Sequence, residues 1–277
     1  MEFTGERMIP EVNRDDLIYL QHISRYLFAL QFVKDKKVLD VASGTGYGTK
    51  LIAEHGAKDV FGVDIDLLSI KYSIDKFFHK RSHFIVGDAL YLPFKDNSFE
   101  VIIAFETIEH VDNPERFLKE ISRILISKGI FLCSTPNTDV LPEDNPFHKI
   151  KFTYKSFKEF INRFFPQYTL VYQNSMLAET FLVDTTISKQ KETEQFMAQN
   201  HLLFRQPSNN SQFLIAIAKK DEEIDENSIT QMITLKENLI FDKTIKGLIN
   251  QIKELEAKLA LTKARKKKTS FISRLLK

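Results

Sequence analysis

The sequence predicts an α/β protein: a mainly parallel sheet covered by helices on both faces. Three observations carry that expectation. Short apolar runs rich in Val, Ile and Phe recur from Lys36 to Asn137, helix-like stretches alternate with them, and the first run ends in alternate glycines, "VLDVASGTGYG". Continuous apolar runs suit strands buried on both faces, and alternation with helices makes neighbouring strands parallel.

Taken in order, "KKVLDVA", "KDVFGVDID", "SHFIVGDA", "FEVIIAF" and "GIFLCSTPN" read as strands. Helices are expected over Thr49 to His55, Leu67 to His79 and Pro114 to Ile126. Pro114 suits a first helical turn, where a backbone N–H is not needed, and Gly129 suits a position just past the end. A helix near Ser156 to Phe165, a strand near Tyr168 to Gln173 and a final strand "QFLIAIA" complete a seven-stranded sheet. The polar stretch from Ser175 to Asn210 carries no clear period.

Composition narrows the function classes. The start "MEFTGERMIP" lacks a basic segment followed by an apolar one, and no run of eighteen apolar residues occurs, so neither export nor membrane spanning is expected. Cys133 is the one cysteine, which excludes a disulfide framework or a zinc-thiolate cluster and suits a reducing, cytoplasmic setting. The formal charge of +2 hides an asymmetry, because Lys263 to Lys277 is strongly basic and the chain before it is about five charges negative. An acidic body offers nucleic-acid phosphates little attraction.

Domain organisation follows from these shifts. Residues 1–32 are expected to form an N-terminal lid helix region and 33–220 the α/β domain. Residues 221–262 read as an acidic linker and coiled-coil helix, and 263–277 as a basic amphipathic tail. Phe241, Ile245, Leu248, Ile252, Leu255 and Leu259 repeat in heptad spacing, which predicts a homo-oligomer through residues 229–262; a single helix packed on the body is the competing reading. In the tail, Phe271, Ile272, Leu275 and Leu276 fall on one helical face and Arg274 and Lys277 opposite, a pattern suited to peripheral association with an anionic membrane. A solvated tail is the plainer alternative.

The glycine run sits where α/β sheets bind ligands, beyond the carboxyl ends of the strands. Asp40, Asp64 and Asp88 bring a carboxylate to that rim from three successive strands, and no Lys or Arg lies between Lys37 and Lys50. A pyrophosphate would meet Asp40 without compensation, whereas a cationic nucleoside such as S-adenosylmethionine suits the rim. N-cap or turn carboxylates are the competing reading of Asp64 and Asp88.

The ordered segments "VLDVASGTGYG", "GVDID", "GDALYLPF", "FEVIIAFETIEHV" and "EISRILISKGIFLCSTPN" resemble the motifs of class I S-adenosylmethionine-dependent methyltransferases of the type 11/23 kind, a Rossmann-like fold. "FTGERMIPE", "QHISRY" and "NPFHKIKFTYKSFKEF" further resemble a bacterial subgroup associated with glycosyltransferases and surface-polysaccharide clusters. Ser43 stands where the family usually has Cys, and Lys151 where it often has an acid.

The resemblance implies that Ala42, Ser43, Gly44 and Gly46 line the methionine half of the cofactor with Asp40 near its amino end, and that Glu106, a further cofactor contact, faces the methyl position. Asp64 would take the ribose with Ile65 against adenine, and Asp88 and Ala89 would read the adenine edge. His110, with Glu109 beside it, is a candidate general base, and His148 a second; turn-fixing roles compete for both histidines. Arg7, Arg25 and Tyr26 are expected to point from the lid toward the acceptor, with an ordinary amphipathic-helix role the competing reading of Arg25 and Tyr26. No ligand spacing such as H-E-x-x-H occurs, so no metal centre is expected. The implied activity is O-methylation of a glycan, sugar phosphate or lipid-linked sugar. A quinone or phenol O-methyltransferase, or a cofactor-binding scaffold without turnover, are the alternatives.

Overall fold

The computed structural model describes residue 9 and residues 17–141, 145–175 and 211–221. The chain divides into the units Met1–Ile224 and Asp225–Lys277, and all described residues belong to the first. Arg7, the heptads at 229–262 and the basic tail at 263–277 lie outside the described residues.

Helix α1 (Leu17–Val33) precedes strand β1 (Lys37–Val41), helix α2 (Tyr47–Glu54), strand β2 (Asp59–Asp64), helix α3 (Leu67–Phe77) and strand β3 (Ser82–Val86). Strand β4 (Phe99–Phe105), helix α4 (Pro114–Ile124), strand β5 (Leu125–Pro136), helix α5 (Tyr154–Phe164), and strands β6 (Gln167–Gln173) and β7 (Phe213–Lys219) follow. They form one sheet in the order β3-β2-β1-β4-β5-β7-β6, with β7 antiparallel to both neighbours and the other pairings parallel. The expected seven-stranded, mostly parallel sheet is therefore present.

Local chemistry explains the helix starts. Asp66 caps α3 by accepting from the Leu68 and Ser69 amides, and Asn113 caps α4 by accepting from the Arg116 amide with Pro114 in the first turn. Helix α4 buries Phe117, Leu118, Ile121 and Ile124, one face at helical spacing, against the sheet core of Leu39, Ile102, Phe131 and Cys133. Burying each such side chain contributes about 1.5–3 kcal/mol.

Two expectations need correction. Helix α4 ends at Ile124 rather than Ile126, because Leu125 already pairs with Phe99 in the sheet. Gly129 is then no helix terminator: it lies within β5 near a register irregularity, where a Cβ would come within 2.5 Å of the Leu125 side chain.

Candidate functional site

The strand order reverses between β1 and β4, the place where an open α/β sheet leaves a crevice at its carboxyl edge. Both strands end there in a residue with left-handed backbone, Ala42 at φ 55° and Glu106 at φ 50°. Such conformations cost about 1–3 kcal/mol each in a non-glycine residue and cluster at functional sites. The Thr107 hydroxyl donates to the carbonyls of Val41 and Phe105, tying the two strand ends together.

The three glycines of the loop do different work. Gly44, at φ 55°, opens onto empty space, with nothing within 4 Å of where a Cβ would stand. A Cβ on Gly48 would lie 2.1 Å from the Tyr26 ring, and one on Gly46 2.6 Å from Ser73, so these two permit packing. Only the Gly44 end of the loop is built for close approach of a ligand.

Asp64 closes β2 and holds the loop: its Oδ2 accepts from the Gly44 amide at 2.9 Å and its Oδ1 from the Asp66 amide at 2.9 Å. The N-cap role belongs to Asp66, which leaves Asp64 directed at the glycine turn. Ile65 beside it is 68% exposed, an apolar surface at the rim. Asp88 accepts from the Leu90 amide, a turn role, while Arg116 and Arg123 of α4 hold the carbonyls of Leu90, Leu92 and Phe94, fixing the loop that carries Asp88 and Ala89.

Asp40 departs from expectation. It is wholly buried, with Oδ1 accepting from the Tyr26 hydroxyl at 3.0 Å and Oδ2 from the Thr49 hydroxyl at 2.6 Å. Burial pushes its pKa up to about 7, although the two hydroxyls favour the charged form. Asp40 therefore supports the loop from beneath rather than presenting an oxygen at the rim. Tyr26 is likewise committed to the core: its ring lies under Gly48 and against Phe105 and Tyr47, so the expectation of an acceptor contact fails on packing grounds.

Arg25 is 1% exposed. Its Nη1 donates to Gln173 at 2.9 Å and lies 3.8 Å from Glu106, and its guanidinium sits over the Phe213 ring. Its Nε and Nη2 have no hydrogen-bond partner, nor does the buried Ser43 hydroxyl in the glycine loop. Buried donors left in this condition cost about 1–3 kcal/mol, more when charged. Glu106 is held in place by the Ser134 hydroxyl, which donates to it at 2.6 Å.

Beyond β4, the turn Glu106 to His110 meets the loop carrying His148. The Glu109 carbonyl accepts from the amides of Lys149 and Ile150, the Nδ1 of His110 donates to the Phe147 carbonyl at 3.2 Å, and Lys149 pairs with Asp112. The rings of His110 and His148 meet edge to face at 4.4 Å between centroids. A carbonyl can only accept, so the Nδ1 of His110 carries a proton in this contact. Glu109 is 1% exposed, and neither carboxylate oxygen has a hydrogen-bond partner; the Thr135 hydroxyl stands nearby without hydrogen-bond geometry. Burial, and then the neighbouring Glu106 charge, raise the Glu109 pKa well above the usual carboxylate range.

The fold thus gathers Glu106, Glu109, His110 and His148 on one side of the crevice and Gly44, Asp64 and Ile65 on the other. Ser134, Thr135 and Gln173 escaped the sequence reading. The polar residues closing the apolar run in "FLCSTPN" were the available signal for the first two.

Residues 39–133 match the methyltransferase domain family. A Mycolicibacterium smegmatis protein named as an S-adenosylmethionine-dependent methyltransferase is 31% identical over 153 residues, 53% of this chain and 58% of the relative, so the chain spans little more than half of that protein. An uncharacterized protein of Methanocaldococcus jannaschii is 32% identical over 206 residues, covering 73% of this chain and 85% of its own. The crystal structure of an S-adenosylmethionine-dependent methyltransferase from Archaeoglobus fulgidus superposes with a TM-score of 0.51 at 21% identity, over 73% of this chain and 93% of the other, which shows the shared fold. Residues 39–133 thus carry a methyltransferase domain on a sheet of matching strand order, and the chain belongs to one family with the uncharacterized Methanocaldococcus jannaschii protein.

Proposed function

We propose that the chain transfers a methyl group from S-adenosylmethionine to an oxygen of a glycan, a sugar phosphate or a lipid-linked sugar. One observation carries the transfer reading: at the reversal between β1 and β4, an open glycine turn held by Asp64 follows β1, and a buried arginine with unanswered donors lies 3.8 Å from Glu106, which follows β4.

The residues present fit the cofactor. Arg25 Nε and Nη2 call for an anionic partner, which the methionine carboxylate is. Asp64 stands at the end of the second strand, and each carboxylate oxygen accepts more than one bond, as ribose hydroxyls require. Ile65 offers an apolar surface for a base. When bound, S-adenosylmethionine supplies an electrophilic methyl group. The chain's own work is to hold the acceptor oxygen in line and to see its proton removed, so positioning accounts for most of the rate. Glu109, His110 and His148 are the groups we assign to the acceptor's proton.

The acceptor class rests on the resemblance of "FTGERMIPE", "QHISRY" and "NPFHKIKFTYKSFKEF" to the polysaccharide-associated subgroup. The heptads from Phe241 to Leu259 support a homo-oligomer, and the basic tail supports peripheral attachment of a cytoplasmic enzyme at an anionic membrane. No helix among the described residues is long and apolar enough to cross a membrane.

Incubation of the full chain with methyl-labelled cofactor and extracted glycan and lipid fractions, followed by mass spectrometry, tests the reading. Label is expected in a glycan-bearing species, and His110→Ala should lower the rate about a hundredfold with cofactor affinity unchanged. Absence of both cofactor binding and transfer overturns it.

A further inference from the structure

We propose that Glu109, His110 and His148 form a divalent-cation site on the acceptor side of the crevice, whose open positions receive the acceptor hydroxyl. This rests on the methyltransferase reading above and specifies how that acceptor is held.

The geometry comes first. One donor atom from each of the three side chains lies within 4.8 Å of the other two. Two donors about 2.1 Å from a common ion stand at most about 4.2 Å apart, so rotations that contract the trio by roughly 1 Å complete the coordination. His148 lies on a loop close to the surface, and its approach to His110 is already fixed by the ring contact at 4.4 Å.

The second observation is independent of the spacing. Glu109 is buried to 1% exposure and neither carboxylate oxygen has a hydrogen-bond partner. A buried carboxyl group without a hydrogen-bond partner is costly, and a bound cation would hold it in the ionised form that burial otherwise disfavours. Arg25 lowers the cost of a charge on Glu109 only from a distance, since the carboxylate it pairs with is Glu106, which Ser134 also holds.

Support around the ligands points the same way. Ligating histidines characteristically donate their other ring N–H to a carbonyl or carboxylate, which fixes the tautomer. His110 does so toward Phe147, and the Glu109 backbone carbonyl grips the loop of His148 through the Lys149 and Ile150 amides. One backbone turn thus contributes two ligands and anchors the third.

Two imidazoles and one carboxylate on one side of an ion suit manganese, iron or zinc in the divalent state better than magnesium or calcium, which prefer oxygen. Such an ion keeps positions open for oxygen ligands. A hydroxyl bound there loses its proton more readily: the O–H bond breaks, the proton passes to water, and the oxygen stays on the ion with its electron pair directed at the methyl group. His110 then acts on the acceptor through the ion.

The test uses the full-length chain freed of metal by chelator dialysis, with Mn²⁺ alone as the probe, read by electron paramagnetic resonance and calorimetry. One ion per chain is expected, with affinity lowered at least tenfold in both His148→Ala and Glu109→Gln and unchanged in Asp59→Asn, an exposed carboxylate in β2. His148→Ala alters a loop side chain, so it guards against a Glu109 variant that fails to fold. No binding by the wild type at millimolar Mn²⁺, or equal binding in both ligand variants, overturns the proposal. Calorimetry with S-adenosylmethionine on the same preparation separates the two readings: cofactor binding without Mn²⁺ binding rejects the cation site and keeps the methyltransferase, and loss of cofactor binding rejects the methyltransferase reading.

Discussion

The two halves of the crevice are finished to different degrees. On the side of β1 and β2, each carboxylate oxygen already has a partner in the protein itself: Asp40 from Tyr26 and Thr49, Asp64 from the amides of Gly44 and Asp66. On the side of β4 and β5, buried polar atoms stand without partners, among them Arg25 Nε and Nη2, both oxygens of Glu109 and the Thr135 hydroxyl. The first half is a rigid frame that a ligand completes with few new bonds. The second carries an electrostatic cost in the empty protein, which a ligand relieves. Ser43 is the exception on the first side, its buried hydroxyl lacking a partner within the glycine loop.

These partners do not make the first half indifferent to conditions, and the largest expected effect comes from Asp40. Its folded pKa is about 7 and its ordinary value 3.8, so between those limits the folded state binds more protons than the unfolded state. The sign is therefore a loss of stability as pH rises from about 4 to about 7, on the order of 3 to 4 kcal/mol, and no further loss from this group above that. Urea unfolding at a series of pH values, with Asp40→Asn as reference, measures it; a wild-type minus variant difference that is flat across this range removes the assigned burial cost.

The next effect separates packing from ligand approach within one loop. Gly48→Ala drives a methyl into the Tyr26 ring and should destabilise the protein by about 3 kcal/mol. Gly44→Ala meets no neighbour and costs only the left-handed backbone, about 1 kcal/mol, while obstructing the ligand. Denaturation of the two variants beside cofactor calorimetry checks the division; equal stability losses would erase it.

The smallest effect concerns the frame's own contact with the cofactor. Asp64→Asn keeps an acceptor for the loop but loses the charge, and should weaken S-adenosylmethionine binding by about 1 to 2 kcal/mol, roughly fivefold to thirtyfold. Unchanged affinity by calorimetry would assign Asp64 to the loop alone.

Much of the frame was legible because its signals are local. Strand periods, the Pro114 start of α4 and the acid at the end of β2 each sit within a few residues of the element they specify. The glycine run was legible as a loop but not as a division of labour, since Tyr26 and Ser73, which decide the fate of Gly48 and Gly46, arrive from other helices. The half beyond β4 was named residue by residue without its arrangement. His148 reaches His110 only because the Glu109 carbonyl binds amides 40 and 41 residues further along, and no spacing rule reports such a latch. An H-E-x-x-H pattern detects side chains on one helix, so it is silent on groups such as Glu109, His110 and His148, which two loops bring together.

The place of β7 in the sheet sets an order of assembly. It is the last strand described along the chain, yet it lies between β5 and β6, pairing Phe213 to Lys219 with Ile130 to Pro136 on one side and with Gln167 to Gln173 on the other. While the chain is being synthesised, β5 waits with an unpaired edge through the making of every residue from Asn137 to Gln212. An apolar, Phe- and Leu-bearing edge of this kind is a template for other chains. Until β7 inserts, the nascent protein is exposed to association through that edge, and β6 has no strand within the described sheet to pair with.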